Sequence, residues 1–332
     1  MDKFSMGSDD LISAVNKMKD LGGVRTEYLI DKGEHKLSEL FALGVSLKNW
    51  VSSKKGQFVK SIKVDDDGYM LCASCIDPSD ITTFIRSMKG SVHMSGTLQP
   101  LEHHVKTIGL PKTTFMKTYP TPFPHENRKV IYVNDVTTKY NERNPNMINR
   151  IADHVIRLCN KVEKNTLVSF TSYGMMSKIK QIVEGKIDKR TYWEESGHQK
   201  GTMKSLDQFR KGRNGVFFIV IGGSVAEGID LPGDELSFAI IVGMPFPPET
   251  VESKAMSYMF DRKYGAGTGW EYVSEVPTIR QMKQVIGRLI RTETDRGMAV
   301  ILDSRASKYA KQLDAQLSED PVADAVRFFR YS

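Results

Sequence analysis

Five uninterrupted apolar runs constrain this chain most: VIYV (130–133), TLVSF (166–170), VFFIVIG (216–222), SFAIIVG (237–243) and MAVILD (298–303). Each is bounded by polar residues or glycine. Runs that do not alternate with polar residues are buried on both faces, as in a parallel sheet covered by helices. Segments with helical spacing lie between them. One carries Ile148, Ile151, Val155, Leu158 and Val162 on one side, and another spans about 278–291. The pattern predicts an α/β fold with a parallel sheet and flanking helices.

Upstream the period is different. Ser8 or Asp9 is positioned to cap a helix bearing Leu11, Ile12, Val15 and Met18, closed by Gly22-Gly23. A second helix fits 37–51, with Leu37, Leu40, Phe41, Gly44, Leu47 and Val51 on one face. FVKSIKV (58–64) and YMLCASCI (69–76) read as a hairpin turning at DDDG (65–68). Asp77-Pro78-Ser79 starts a short helix reaching about Met88, and SVHMSGTL (91–98) reads as a strand running into a loop. Four prolines between 111 and 128 mark a domain boundary. The hairpin turn and 185–215 are expected to be the most mobile parts.

With 332 residues the chain has room for two domains. No run approaches the ~18 apolar residues of a membrane span. The polar, acidic start MDKFSMGSDD is not a signal peptide. Three cysteines, Cys72, Cys75 and Cys159, make no disulfide framework and suit a reducing compartment. A cytoplasmic location without a membrane partner is expected. The net charge of +7 permits a nucleic-acid partner without establishing one.

Chemistry gathers in four places. In QVIGRLIR (284–291), Gln284, Gly287, Arg288 and Arg291 recur at i, i+3, i+4 and i+7, one face of a helix. Val285, Ile286, Leu289 and Ile290 take the other side. Two arginines in an apolar setting suit an anion, because a buried guanidinium is costly without one. A glycine inside a helix costs about 1 kcal/mol unless something approaches it closely. A nucleotide phosphate accounts for both features; a surface helix with solvated arginines is the simpler alternative. GGSVAEGIDLPGD (222–234) follows a strand, where open α/β sheets bind ligands. Its glycines admit a ligand, with Glu227 and Asp230 as nearby carboxylates, although an ordinary strand-to-helix turn also explains it.

TLVSFTSYGMM (166–176) offers Thr171, Ser172 and Tyr173 at a helix start, suited to phosphate contact or to plain capping. Residues 176–213 hold ten Lys/Arg against five Asp/Glu, and Trp270 sits in YGAGTGWEY. Stacking on an aromatic beside a basic groove holds single strands without sequence preference. A solvated charged face and a core tryptophan are the alternatives. The chain contains no GxxxxGK[ST] phosphate loop. The CxxC at Cys72 and Cys75 has no second pair, and no metal site is assigned.

In this order the segments resemble the C-terminal half of the XPD family of superfamily-two DNA helicases, in an archaeal-type form. CIDPSD (75–80) and SVHMSGTLQP (91–100) resemble the region ending in helicase motif III. NTLVSFTSY (165–173) is similar to motif IV, GGSVAEGIDLPGDELSFAIIVGMPFP (222–247) to motif V, and QVIGRLIRTETDRGMAVILDSR (284–305) to motif VI. The resemblance implies RecA-like motor domains, ATP hydrolysed between them and single-stranded DNA across their top. It implies nucleotide contact through Gln284, Arg288 and Arg291 and through Gly228 and Asp230. It implies DNA contact at Ser172, Tyr173, Ser224, Trp270 and Arg305, with Thr97 coupling the lobes.

The family's phosphate loop, magnesium-binding carboxylates and the four cysteines of its 4Fe-4S cluster have no counterpart here. The resemblance therefore implies a truncated helicase. Residues 1–55 would end the arch domain, 56–110 would close motor domain one, and 111–332 would form motor domain two. ATP and Mg2+ would belong to the full-length protein, a 5′-to-3′ helicase of nucleotide excision repair. The missing N-terminal half and repair proteins would be its partners. The alternative is a non-catalytic module that binds single-stranded DNA or docks a partner.

Overall fold

In the computed structural model the described residues are 8–65, 68–223, 231 and 235–330. They form two compact units. One comprises the chain up to 92 with 102–114 and 249–269; the other comprises 93–101, 115–248 and the chain from 270 onward.

In the first unit, α1 (Ser8–Asp31) runs straight through Gly22-Gly23 rather than ending there. The reason is the approach of α2 (Glu39–Ser52). A Cβ on Gly22 would lie 2.3 Å from the Phe41 nitrogen, and one on Gly44 would lie 2.7 Å from the Lys19 nitrogen. These glycines mark where two backbones meet. Ser38 caps α2 by accepting from the Phe41 N–H at 3.1 Å, and its hydroxyl donates to the Gly22 carbonyl at 2.7 Å. The predicted apolar face of α2 is only partly covered. Gly44 is buried and Phe41, Leu47 and Val51 are half-buried, but Leu37 and Leu40 are exposed.

The hairpin forms as expected from β1 (Phe58–Asp65) and β2 (Gly68–Cys75), with Ile62 opposite Leu71 and Val64 opposite Tyr69. The helix expected from 77 to 88 is reduced to α3 (Thr83–Arg86), preceded by turns; α4 (Leu101–Thr107) follows. The unit also contains α8 (Val251–Tyr264), a return of the chain that apolar spacing did not signal. Lys263 of α8 donates to Asp77 Oδ2 at 2.7 Å, and the Tyr264 hydroxyl donates to the Lys106 carbonyl at 3.0 Å.

The second unit is the parallel sheet. Its strands are β3 (Arg128–Tyr132), β4 (Thr166–Phe170), β5 (Arg190–Trp193), β6 (Gly215–Val220), β7 (Phe238–Val242), β8 (Gly297–Ile301) and β9 (Gln316–Leu317). They lie in the order β5-β6-β4-β7-β8-β3-β9, every pairing parallel. Its helices are α5 (Pro145–Lys161), α6 (Tyr173–Val183), α7 (Gln199–Lys211), α10 (Val276–Ile286), α11 (Ala310–Leu313) and α12 (Pro321–Arg330), and the chain re-enters this unit within α9 (Thr268–Trp270).

Residues of alternating parity along each strand feed two cores. Val168, Phe170, Phe218 and Ile240 pack with Ile151, Ile179 and Phe328 on one side. Leu167, Ile219 and Ile241 pack with Met282, Ile286 and Tyr309 on the other. The fold is therefore the expected α/β layer, with helices on both faces of one parallel sheet.

One expectation fails here. The segment 91–98 is not a strand: among the described residues none pairs with it, and Arg280 of α10 takes the Leu98 and Gln99 carbonyls at 2.7 and 3.1 Å. The 185–215 stretch contains β5 and the whole of α7. Among the described residues no helix is long and apolar enough to cross a membrane.

Candidate functional site

Every βα connection of a parallel sheet opens at the carboxyl ends of its strands, where α/β proteins place ligands. Residues 138, 172–173, 194, 220–223, 246 and 303–305 all follow strand ends on this edge. Asp303, two residues beyond β8, is fully buried. It accepts from the Thr138 N–H at 2.9 Å and the Thr138 hydroxyl at 2.8 Å. It also accepts from Arg305 Nε and Nη2 at 2.9 and 2.7 Å. Burial pushes the Asp303 carboxyl upward, but the Arg305 guanidinium and the Thr138 donors outweigh it and hold it below the usual range.

Arg305, fixed in this way, lies over the Phe246 ring at 5.2 Å, and Trp270 stacks on the same ring at 5.9 Å. The structure thus brings Trp270 and Arg305 together through Phe246. Trp270 is no core tryptophan, being 53% exposed. Its indole N–H donates to Glu275 at 3.0 Å, and Glu275 also accepts from Tyr309 at 2.8 Å and from Lys308. Burial raises the Glu275 carboxyl, yet Lys308, Tyr309 and Trp270 together draw it below the ordinary range.

Ser172 is the N-cap of α6, accepting from the Met175 N–H at 3.2 Å, so the capping reading holds for it. Its side chain is also exposed, and the hydroxyl hydrogen is not consumed by the cap. Tyr173 is half-buried and its hydroxyl donates to Glu194 at 3.1 Å. In the basic 176–213 stretch Lys178, Lys186, Arg190, Lys200, Lys204, Lys211 and Arg213 are exposed, in keeping with a solvated charged face, while Lys180, Lys189 and Arg210 are half-buried. Lys189 donates to the Val162 and Lys164 carbonyls beyond the end of α5, Arg210 pairs with Glu235 at 2.9 Å, and Lys180 lies over Trp193 at 5.1 Å. Burial lowers Lys189 to about 8.

The arginine segment departs from its expected geometry. The α-helical turns of α10 stop at Ile286. Gly287–Leu289 form a 3-10 turn and Ile290 is extended, at φ −140 and ψ 121. Gln284 is exposed, Arg288 is half-buried and Arg291 is exposed, so they share no continuous helical face and form no buried pair. Arg291 sits instead on a turn held by Asp295, whose Oδ2 accepts from the Arg291 and Thr292 N–H groups at 2.7 and 2.8 Å. Val285, Ile286, Leu289 and Ile290 are buried as expected. Among the described residues a Cβ on Gly287 would meet nothing within 4 Å, so no close contact with them requires that glycine. Ser224, Glu227, Gly228 and Asp230 lie outside the described residues. Thr97 is half-buried beside the Leu98–Gln99 segment held by Arg280.

Sequence reasoning missed Asp303, Phe246, Glu275 and Glu194. Only Asp303 carried a usable signal, as a carboxylate ending the apolar run MAVILD. The cysteines do not fit an iron–sulfur cluster: Cys72 and Cys75 are three apart in one strand and so face opposite ways, and Cys159 is buried in α5. Among the described residues no group of three or more His, Cys, Asp or Glu is placed to hold a metal ion.

The parallel sheet thus carries an aromatic–cation stack at its strand-end edge and an arginine-bearing segment before β8. Residues 155–320 match the helicase C-terminal domain family and 1–142 match the helical and beta-bridge domain. The chain belongs to the helicase C-terminal domain family and resembles the C-terminal part of XPD-family helicases.

It is 29% identical to the ATP-dependent DNA helicase XPD of Sulfolobus acidocaldarius, covering 64% of this chain and 38% of that protein. It is 26% identical to a probable ATP-dependent helicase of Methanocaldococcus jannaschii, covering 74% of this chain and 40% of the relative. It is also 26% identical to the ATP-dependent DNA helicase DinG of Photobacterium profundum, covering 81% and 39%. The chain thus spans about 40% of the length of these relatives. A solved apo XPD structure shares the fold with a TM-score of 0.62 at 24% identity, covering 95% of this chain and 63% of the other.

Proposed function

We propose that this chain acts as the second motor lobe, with attached helical and hairpin elements, of an ATP-dependent 5′-to-3′ DNA helicase in nucleotide excision repair. In this reading 1–55 close an arch domain, 56–110 complete the first motor domain and 111–332 form the second. Arg288 and Arg291 act as arginine fingers, placing fixed positive charge where phosphoryl transfer develops negative charge. Gln284, Glu227, Gly228 and Asp230 contribute nucleotide contacts. ATP, Mg2+ and a 4Fe-4S cluster are held by an N-terminal half, and repair proteins are further partners. Without a GxxxxGK[ST] loop this chain alone does not turn over ATP.

The observation that carries the reading is the Trp270–Phe246–Arg305 stack at the strand-end edge. An exposed aromatic beside a fixed cation suits a base and its phosphate together, and Ser172, Tyr173 and Ser224 extend the path. Titrating a labelled oligo-dT with the chain tests it. Affinity is expected to fall with salt at a log–log slope of about −0.7 per phosphate neutralised. Trp270→Ala is expected to weaken binding by about 1–3 kcal/mol. Absence of binding at low salt, or an unaltered affinity in the variant, sinks the DNA path. Robust ATP turnover by the chain alone would overturn its inactivity. The same exposed Trp270 also suits a non-catalytic single-strand-binding or partner-docking module. That second reading wins if a protein joining this chain to a phosphate-loop lobe binds DNA but shows no DNA-stimulated hydrolysis.

A further inference from the structure

Glu194 is a buried carboxylate at the strand-end edge that neither the arginine segment nor the aromatic stack uses. It follows β5 and is 2% exposed. Its Oε2 accepts from the Val220 N–H at 2.8 Å, and its Oε1 accepts from the Tyr173 hydroxyl at 3.1 Å. Gly223 closes a turn onto the Val220 carbonyl at 2.9 Å. A Cβ there would lie 2.6 Å from Glu194 Oε1, so the carboxylate occupies the space any other side chain at 223 would need. Three strand ends thus converge on one buried carboxylate. An ionised carboxylate only accepts, so the phenol hydrogen of Tyr173 is committed to Glu194.

We propose that Glu194 is a positioning residue that locks the Tyr173 phenol and the 220–223 turn together, leaving the Tyr173 ring rather than its hydroxyl hydrogen to meet single-stranded DNA. The lock stands on its own geometry; the ring assignment rests on the DNA path proposed above. The phenol of Tyr173 is raised by burial first and by the Glu194 charge and hydrogen bond next, in keeping with a donor held on an anion. Glu194→Gln keeps the size but cannot accept at both oxygen positions.

Hydrogen exchange and tyrosine titration test the lock without DNA. In Glu194→Gln the Val220 amide is expected to exchange at least about tenfold faster, as for loss of a charge-assisted hydrogen bond. The Tyr173 phenol, identified by comparison with Tyr173→Phe, is expected to ionise at lower pH. If both stay at their unaltered values, the lock is wrong. Should Glu194→Gln not fold, Tyr173→Phe decides: a Val220 exchange rate unchanged by loss of the hydroxyl also rejects the lock. On oligo-dT, Tyr173→Ala is expected to lose about tenfold in affinity, a typical stacking loss, while Tyr173→Phe keeps most of it. Equal losses overturn the ring assignment. No binding by the unaltered chain sinks the DNA path and the ring assignment together, while exchange and titration still decide the lock.

Discussion

Arg305 is held by a carboxylate that cannot itself reach solvent. The Asp303 side chain has no exposed surface, while that of Arg305 keeps 28%. The pair therefore presents a guanidinium outward without presenting its counter-charge. Removing one member leaves Arg305 and the Thr138 donors facing an acceptor that has lost its charge. Asp303→Asn is expected to destabilise the chain by about 2–4 kcal/mol, read from urea midpoints at neutral pH.

The pH dependence has a definite sign. The folded carboxyl titrates below its unfolded value, so its contribution is complete above the unfolded range and is lost as pH falls through the lower, folded value. The gap between the unaltered chain and Asp303→Asn should be full above about pH 4 and shrink only as pH falls below it. A gap independent of pH on the acid side would mean that Asp303 acts by packing alone. At the same scale, Arg288 and Arg291 look equivalent in sequence and are not. One lies in the middle of a 3-10 turn, half-buried, and the other rides a turn clasped by Asp295. Helical spacing could not reveal that difference, because the cap that creates it lies four residues downstream.

Glycine pairs carry two meanings that a linear reading cannot separate. Gly22 lies against the α2 backbone, whereas a Cβ on its neighbour Gly23 would sit 3.9 Å from the Phe41 ring, an ordinary contact. Gly22→Ala is expected to destabilise the first unit by about 1–3 kcal/mol through overpacking. Gly23→Ala should be neutral or stabilising by up to about 1 kcal/mol, since alanine suits a helix interior better. Thermal or urea unfolding of the two variants side by side checks this. Equal effects would mean that the crossing is looser than described.

The same contrast explains which elements could be read from the chain. Strands β4, β6, β7 and β8 are buried along their whole length and appear as apolar runs. The edge strands β5 and β9 are only four and two residues long and carry polar or exposed positions, so no run announces them. The apolar residues of 91–98 suggested a strand, but a strand needs a neighbour's ladder, and the Leu98 and Gln99 carbonyls go to Arg280 instead.

Within the sheet unit, α10 joins two chemically different ends. Near its start, Thr278 donates to the Pro245 carbonyl just past β7, and the preceding π-helical turn carries Glu275 under Trp270. At its other end Leu289 packs against Gly297, the first residue of β8. The aromatic platform therefore lies at the carboxyl edge of the sheet. Arg288 and Arg291 lie toward the opposite end of a helix roughly 16 Å long. Groups so far apart should act independently on binding and additively when combined.

In a protein joining this chain to a phosphate-loop motor lobe, Arg291→Ala is expected to lower ATP turnover about 10²–10³-fold, as for loss of one oriented transition-state donor. Its affinity for single-stranded DNA should be unchanged. Trp270→Ala should do the reverse at saturating DNA, weakening affinity with little effect on turnover. The double variant should show the product of the two effects. If Arg291→Ala left turnover intact, the arginine turn would be a surface feature and the separation of ends along α10 would have no mechanistic meaning.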